Sequence, residues 1–438
     1  MPSVSFHTLG CRLNQADTAL LADDLVRHGF TLTPWGSPSD LLVINSCSVT
    51  GVSAQKTRQL VRAARRRCPQ AFLVLLGCEA TAEAEAWRRC PEVDMVVTNP
   101  KPPSLAELLP TDLKRPPKGQ PLFHQSTPQP DDFRLSGTGL FWERTRANLK
   151  IQEGCDFRCT YCIVPSTRGQ ARSRGLSDVL AEAERLAKLG YKEIVLTGVN
   201  ISTYSSEGCD LLGLLRRLLD LADGFRLRLG STEPGENLLP ALVDLMAAQP
   251  RLCRFLHLPL QYGDDEILQR MGRCHYNCQT YADQAREACR RIPGLCLGTD
   301  IIVGFPGETE QNFRRCEDYL ASLPFGLMHN FPFSPRQGTP AAGFPDRPPS
   351  STVTERVHRL MALAEAKADA FAAAQLGQVL PVLLETKDGW SDNYLKVKLA
   401  DGDAMPPNTL VHAKITAVQK GRLLLGHITE PQFQTKGN

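Results

Sequence analysis

Gly154-Cys155-Asp156-Phe157-Arg158-Cys159-Thr160-Tyr161-Cys162 is the stretch that decides how this chain is read. It sets three cysteines in a C-x3-C-x2-C run directly after Asn148–Gln152, a segment predicted as a strand. Loops at the C-terminal ends of parallel strands are where α/β folds gather their ligands. Three thiolates this close cannot complete a tetrahedral zinc shell, and no fourth cysteine or histidine lies nearby in sequence. A cubane iron–sulfur cluster with one iron lacking a protein ligand fits three thiolates. The spacing is not that of a bacterial ferredoxin, which disfavours simple electron carriage. The competing readings are a zinc site with a remote fourth ligand and a group of ordinary free thiols.

Around this run, strand and helix patterns alternate. Predicted strands are Asn148–Gln152, Glu193–Gly198, Arg226–Gly230, Phe255–Leu260, Leu297–Phe305 and Gly326–Phe333. Helical patterns fall between them at Ser177–Leu189, Leu211–Asp223, Leu238–Ala248, Thr280–Ile292 and Glu308–Leu323, the first with Ser177 as its expected N-cap. Six such units predict a partial (βα)6 barrel.

Toward the N-terminus a second alternation appears. Apolar runs at Val4–Gly10, Leu41–Cys47, Phe72–Cys78 and Val93–Thr98 are separated by helical patterns at Asn14–His28, Ser53–Arg67 and Ala82–Arg89. That order predicts an open parallel sheet covered by helices. Cys11, Cys47 and Cys78 stand at the ends of its first three strands. Equivalent strand ends in a parallel sheet share one crevice, so the three thiols are expected to converge as another three-thiolate site. Three unrelated buried cysteines are the alternative.

Beyond Phe333, a proline-rich stretch leads to an alanine-rich helical pattern, Thr354–Leu376, stopped at Gly377. Four alternating segments follow, Val379–Glu385, Tyr394–Leu399, Leu410–Val418 and Arg422–His427, with turns read at Lys387-Asp388-Gly389, Asp401-Gly402-Asp403 and Lys420-Gly421. They predict a small antiparallel β-barrel. The expected division is an α/β domain over 1–115, a proline-rich linker over 116–140, the partial barrel over 141–370 and the terminal barrel over 371–435.

Composition agrees with a metal-using enzyme of several domains. The chain has 438 residues, 42% hydrophobic and 22% charged, with a net charge of +3. Near-neutral charge argues against bulk polyanion binding and leaves room for local basic patches. The fifteen cysteines are odd in number, and the N-terminus shows no basic-then-apolar leader, so a disulfide framework is not expected. No apolar run reaches the roughly 18 residues that a membrane span needs. A cytoplasmic location is expected.

The C-x3-C-x2-C run with an aromatic before its last cysteine resembles the radical S-adenosylmethionine superfamily. With Thr8-Leu9-Gly10-Cys11-Arg12-Leu13-Asn14-Gln15, Val43-Ile44-Asn45-Ser46-Cys47-Ser48-Val49-Thr50, Gly77-Cys78, Leu196-Thr197-Gly198-Val199-Asn200, Leu258-Pro259-Leu260-Gln261-Tyr262-Gly263 and Asp300-Ile301-Ile302-Val303-Gly304-Phe305-Pro306-Gly307-Glu308-Thr309, the chain resembles the radical methylthiotransferases over nearly its whole length. Each motif alone is weak; their joint presence in order is specific. The resemblance implies a [4Fe-4S] cluster on Cys155, Cys159 and Cys162 that binds and cleaves S-adenosylmethionine. It implies a second [4Fe-4S] cluster on Cys11, Cys47 and Cys78 that holds the sulfur to be donated. It also implies a terminal RNA-binding TRAM domain, a tRNA anticodon loop as partner, and an electron donor such as flavodoxin or ferredoxin. The first motif resembles the branch that methylthiolates N6-threonylcarbamoyladenosine at position 37 of tRNA; the isopentenyladenosine and ribosomal-protein branches are the alternatives.

Tyr161, Thr197, Gly198, Asn200 and Arg174 are expected near S-adenosylmethionine; the rival roles are structural packing for Tyr161, a plain strand-to-helix turn for Thr197, Gly198 and Asn200, and a solvated loop for Arg174. Arg168 and Arg172 are candidate contacts to carboxylate or phosphate. Arg58, Arg62 and Arg65 share one face of a helix, and Lys396 and Lys398 stand near Trp390 and Tyr394, so both groups are expected RNA contacts. Cys274 and Cys278 flank His275 without the loop spacing of a metal site and are expected to be incidental.

Overall fold

In a computed structural model the described residues are 1–48, 51–99, 104–125, 145–221, 223–235, 238–402 and 405–431. The N-terminal domain is a six-stranded sheet, all parallel, in the spatial order Thr31–Leu32, Ser3–Thr8, Leu41–Ser46, Phe72–Gly77, Met95–Val97, Leu122–His124. Its central strands are buried on both faces, as continuous runs such as Leu41-Leu42-Val43-Ile44 require. Helix Arg12–Arg27 contributes Leu21 and Leu25 to the core on one face, and helix Gly51–Arg67 contributes Val61 and Ala64 to the other.

The sheet runs beyond residue 115. Leu122–His124, expected as linker, pairs parallel with Met95–Val97 and forms the sheet's edge. Positions 126–140 of the expected linker lie outside the described residues.

The central domain has its six strands in chain order as two parallel triplets. Arg146–Lys150, Glu193–Thr197 and Arg226–Leu229 form one, and Phe255–His257, Cys296–Val303 and Phe325–Pro332 the other. Parallel bridges Leu227↔Leu252 and Ser231↔His257 join the triplets into a partial barrel. Alternation sorts its two faces. Ala147, Leu149, Ile194, Leu196, Leu227 and Leu229 enter the main core beneath the helices. The residues between them, including Lys150, Glu193, Arg226 and Arg228, therefore take the inner face. The first helix spans Leu176–Lys188, so Ser177 lies inside it rather than capping it.

Helix Ser350–Ala373 packs on strand Phe325–Pro332 and delivers the chain to a closed five-stranded barrel. Asp388–Ser391, whose first residues were expected as a turn, is one of those strands. Glu193 anchors this barrel to the central domain. It accepts from Arg226 Nε at 2.7 Å and Arg228 Nε at 2.6 Å, and the two guanidinium groups then donate to the carbonyls of Pro381, Trp390, Ser391 and Asp392. No helix among the described residues is long and apolar enough to cross a membrane.

Candidate functional site

The radical loop is pinned at its base. Gln152–Glu153 pairs antiparallel with Arg172–Ser173, closing residues 154–171 into a compact excursion. Gly154 holds φ +74°, and a Cβ there would collide with the Gln170 carbonyl, so the loop requires glycine. Cys155 N donates to Gly169 O at 3.1 Å, Cys162 N to Cys159 O at 3.1 Å, and Asp156 Oδ1 accepts from Ala171 N at 3.0 Å. These bonds turn the three cysteines toward one another. Burial, with the nearby Cys159 and Cys155 thiols, pushes Cys162 up to about 12, and burial also raises Cys155. Thiols bind metal as thiolates, so a cluster seated here would have to draw protons from Cys155 and Cys162. Arg273 Nη1 lies 3.6 Å from Cys159 Sγ, its two Nη nitrogens hold Glu233, and its Nε donates to Tyr276.

Around this loop the expected cofactor residues have different fates. Tyr161 packs against the barrel core, and burial lifts its hydroxyl well above the usual range. Thr197 is buried and donates to Val195 O. Gly198 sits where a Cβ would lie 2.9 Å from Gln152 Oε1, the atom that accepts from both Val199 N and Asn200 N at 2.9 Å. Asn200 Nδ2 is buried without a hydrogen-bond partner among the described residues, a donor left for a polar ligand at this strand end. Arg174 corrects the expectation. It is 1% exposed and clamped by Asp178 and Glu182 on helix Leu176–Lys188, so it braces the fold.

The second set of cysteines follows neighbouring strands. Ser3–Thr8, Leu41–Ser46 and Phe72–Gly77 are adjacent parallel strands, so Cys11, Cys47 and Cys78 follow one edge of the sheet. Gly10 holds φ +101°, with Cys47 Cβ and Sγ 2.7 and 2.8 Å from where its own Cβ would stand. Asn14 Nδ2 donates to Leu9 O and Ser46 O and so fastens two of the loops together. Cys47 and Cys78 are buried, and Cys11 is exposed.

Arg168 joins the two sites. It ends the short helix Val164–Arg168 just after Cys162, and its Nε lies 3.2 Å from Cys78 Sγ. Its Nη1 donates to Glu153 at 2.6 Å, and its Nη2 to Asn14. Lys150 Nζ completes the network, 2.7 Å from Asp17 and 2.9 Å from Glu153. Burial opposes the Arg168 cation, but the Cys78 sulfur, Asp17, Glu153 and Cys11 outweigh it and raise its pKa. Arg168 therefore carries the helix that follows the Cys155–Cys162 loop onto Cys78, across a charged, buried seam between the first two domains.

The chain also matches known proteins. Residues 149–320 match the radical SAM superfamily and residues 3–98 match the uncharacterized protein family UPF0004. The threonylcarbamoyladenosine tRNA methylthiotransferase MtaB of Bacillus subtilis is 34% identical over 91% of this chain and 90% of that one. The chain belongs to the radical S-adenosylmethionine methylthiotransferases. It is an enzyme of that family, and membership implies a [4Fe-4S] cluster and S-adenosylmethionine. The Aquifex aeolicus protein of the same name is 34% identical over 90% of this chain and 96% of its own length. A tRNA-2-methylthio-N(6)-dimethylallyladenosine synthase of Anaplasma marginale is 33% identical over 87% and 84%. Among solved structures, the radical S-adenosylmethionine methyltransferase TsrM of Kitasatospora setae shares the fold, with TM-score 0.53 and 17% identity over 78% of this chain and 77% of that one.

The expected RNA contacts of this methylthiotransferase divide as well. Arg58 and Arg62 are exposed on helix Gly51–Arg67. Arg65 is not available, because it pairs with Asp94 and donates to the carbonyls of Glu92 and Ala71. Lys396 and Lys398 are exposed, Lys396 lying 3.0 Å from Asp388. Tyr394 is tilted against Phe255, with ring centroids 4.7 Å apart, and accepts from Arg12 Nη2 at 2.7 Å, so it is no platform for bases. That bond fastens the residue after Cys11 to the terminal barrel. Gln152, Arg273, Asp17 and the His257–Asp300–His329 set escaped sequence reading, since no spacing rule links residues that meet only across domains or strands. His275 stacks on Phe157, with ring centroids 4.5 Å apart.

Proposed function

We propose that this methylthiotransferase converts N6-threonylcarbamoyladenosine at position 37 of tRNA to its 2-methylthio derivative, using two [4Fe-4S] clusters and two molecules of S-adenosylmethionine. The observation that supports the two-cluster reading is Arg168, which ends the short helix just after Cys162 and whose Nε lies 3.2 Å from Cys78 Sγ. The threonylcarbamoyl substrate is supported by the first motif and by the names of the Bacillus subtilis and Aquifex aeolicus relatives.

Cys155, Cys159 and Cys162 would hold the cluster at which S-adenosylmethionine is cleaved, and Cys11, Cys47 and Cys78 the one that carries sulfur to the adenine. The chain's own part is positional. Gly154 and the Gln152–Glu153 strand pair fix the first loop, and Asn14 and Gly10 fix the second. Asn200 Nδ2 offers a donor to the cofactor, while Arg168, Lys150, Asp17 and Glu153 hold the two domains in register. Arg58, Arg62, Lys396 and Lys398 supply exposed positive charge for tRNA phosphates.

Mass spectrometry of nucleosides from tRNA of cells with and without the gene tests this reading. Loss of 2-methylthio-threonylcarbamoyladenosine alone is the expected result. Loss of the 2-methylthio-isopentenyl nucleoside instead would move the substrate to the second reading, which the Anaplasma marginale relative favours. Zinc without iron or sulfide after anaerobic purification would overturn the enzyme chemistry.

A further inference from the structure

The inner face of the barrel carries a polar set that neither cysteine triad uses. His257 ends strand Phe255–His257, and Asp300 stands opposite His329 in the register of the next two strands. Asp300 Oδ1 lies 3.3 Å from His257 Nε2 and 3.0 Å from His329 Nδ1. Ser231 Oγ holds the far side of His257, 3.0 Å from Nδ1. Two residues on, Glu233 grips Arg273, whose Nη1 reaches Cys159. The set therefore lies at the same C-terminal mouth as the radical triad.

Exposure rises along it, from 10% of the His257 side chain to 28% for Asp300 and 48% for His329. Burial alone would raise the Asp300 pKa, but the bonds from His257 and His329 hold it far below the usual carboxylate range. His329 spends Nδ1 on Asp300, and its Nε2 makes no hydrogen bond among the described residues. A half-open barrel wall with an ionised carboxylate and a ring nitrogen still to be matched suits a polar ligand and is penalised by a hydrocarbon.

Resting on the threonylcarbamoyl reading above, we infer that His329, held by Asp300, is a specificity-determining residue whose Nε2 hydrogen-bonds the polar ureido-threonyl chain of the substrate adenine. An isopentenyl chain at the same place would strip water from His329 and Asp300 and return no hydrogen bond. Sites built around such a bond reject analogues that lack it far more strongly than apolar pockets reject an extra group.

The test compares reconstituted wild type, His329→Phe and His329→Gln on anticodon stem-loops bearing threonylcarbamoyladenosine or isopentenyladenosine, with KM and kcat measured separately. Wild type is expected to prefer the threonylcarbamoyl RNA. His329→Phe is expected to raise KM for it at least about tenfold and to shrink the preference by a similar factor. His329→Gln, which keeps a donor, recovers part of the loss. If His329→Phe does not fold, His329→Asn, polar but too short to reach, carries the same expectation. An unchanged preference in these variants overturns the inference while leaving the substrate reading intact. A wild type that modifies only the isopentenyl RNA overturns both. The three ligand atoms lie within 4.8 Å of one another. A stoichiometric divalent metal in wild type, additional to cluster iron and lost in His329→Phe, would therefore make this a metal site and overturn the inference.

Discussion

Arg168 Nε lies 3.2 Å from Cys78 Sγ, although the two residues are 90 positions apart and belong to different domains. A side chain just beyond the C-x3-C-x2-C run thus touches a thiol of the N-terminal domain, and its other nitrogens meet Glu153, Asp17 and Asn14.

Arg168→Gln leaves Asp17 and Glu153 buried with one cation fewer. Removing one partner of a buried ion pair costs about 3–5 kcal/mol, so a lower unfolding free energy of that order is expected from denaturant titration. Arg168→Lys restores charge without the planar fork and recovers only part of the loss.

The two triads are separable. Cys47→Ala and Cys155→Ala are each expected to lose about half of the bound iron and sulfide, one cubane of two. Only Cys155→Ala also abolishes formation of 5′-deoxyadenosine, while both abolish methylthiolation. Equal iron content in Cys47→Ala and wild type would remove the second cluster from the proposal.

Gly154→Ala forces a Cβ onto the Gln170 carbonyl at a positive φ of 74°. Strain and overlap together are expected to cost more than about 2 kcal/mol. Reconstitution followed by iron analysis should show the radical cluster lost, whereas Gly190→Ala, at a surface position with open space around it, retains it.

Acid should loosen the terminal barrel through Glu193. Burial alone would raise its carboxyl, but Arg228 and Arg226 hold it far below the ordinary glutamate value of 4.5. A depressed folded pKa means that the stabilisation is complete above the ordinary value and fades as pH falls toward the folded one. Thermal unfolding should therefore drop more steeply below pH 4.5 in wild type than in Glu193→Gln. At pH 7 that variant is expected to be less stable by about 3 kcal/mol.

Much of this arrangement was legible in the sequence. The three folds followed from hydrophobic periodicity, because parallel strands buried on both faces and alternating barrel strands leave different patterns. Leu122–His124 escaped because a short edge strand among prolines carries no such pattern. The expectations for Arg65, Arg174 and Tyr394 failed for one shared reason. A lone arginine or tyrosine reads alike whether it faces water or an internal carboxylate, and here Asp94, Glu182 and Arg12 claim them.

By itself the sequence marked out the six cysteines and predicted their grouping. The C-x3-C-x2-C spacing is local, and Cys11, Cys47 and Cys78 each follow a strand whose direction the alternating pattern sets. The tertiary structure alone decided that Arg168 reaches Cys78 across the seam between the first two domains, and that His257, Asp300 and His329 share a barrel wall. Those relationships depend on how domains dock and how strands register. Burial decides that geometry, because charges leave water only when partners from distant segments arrive to meet them.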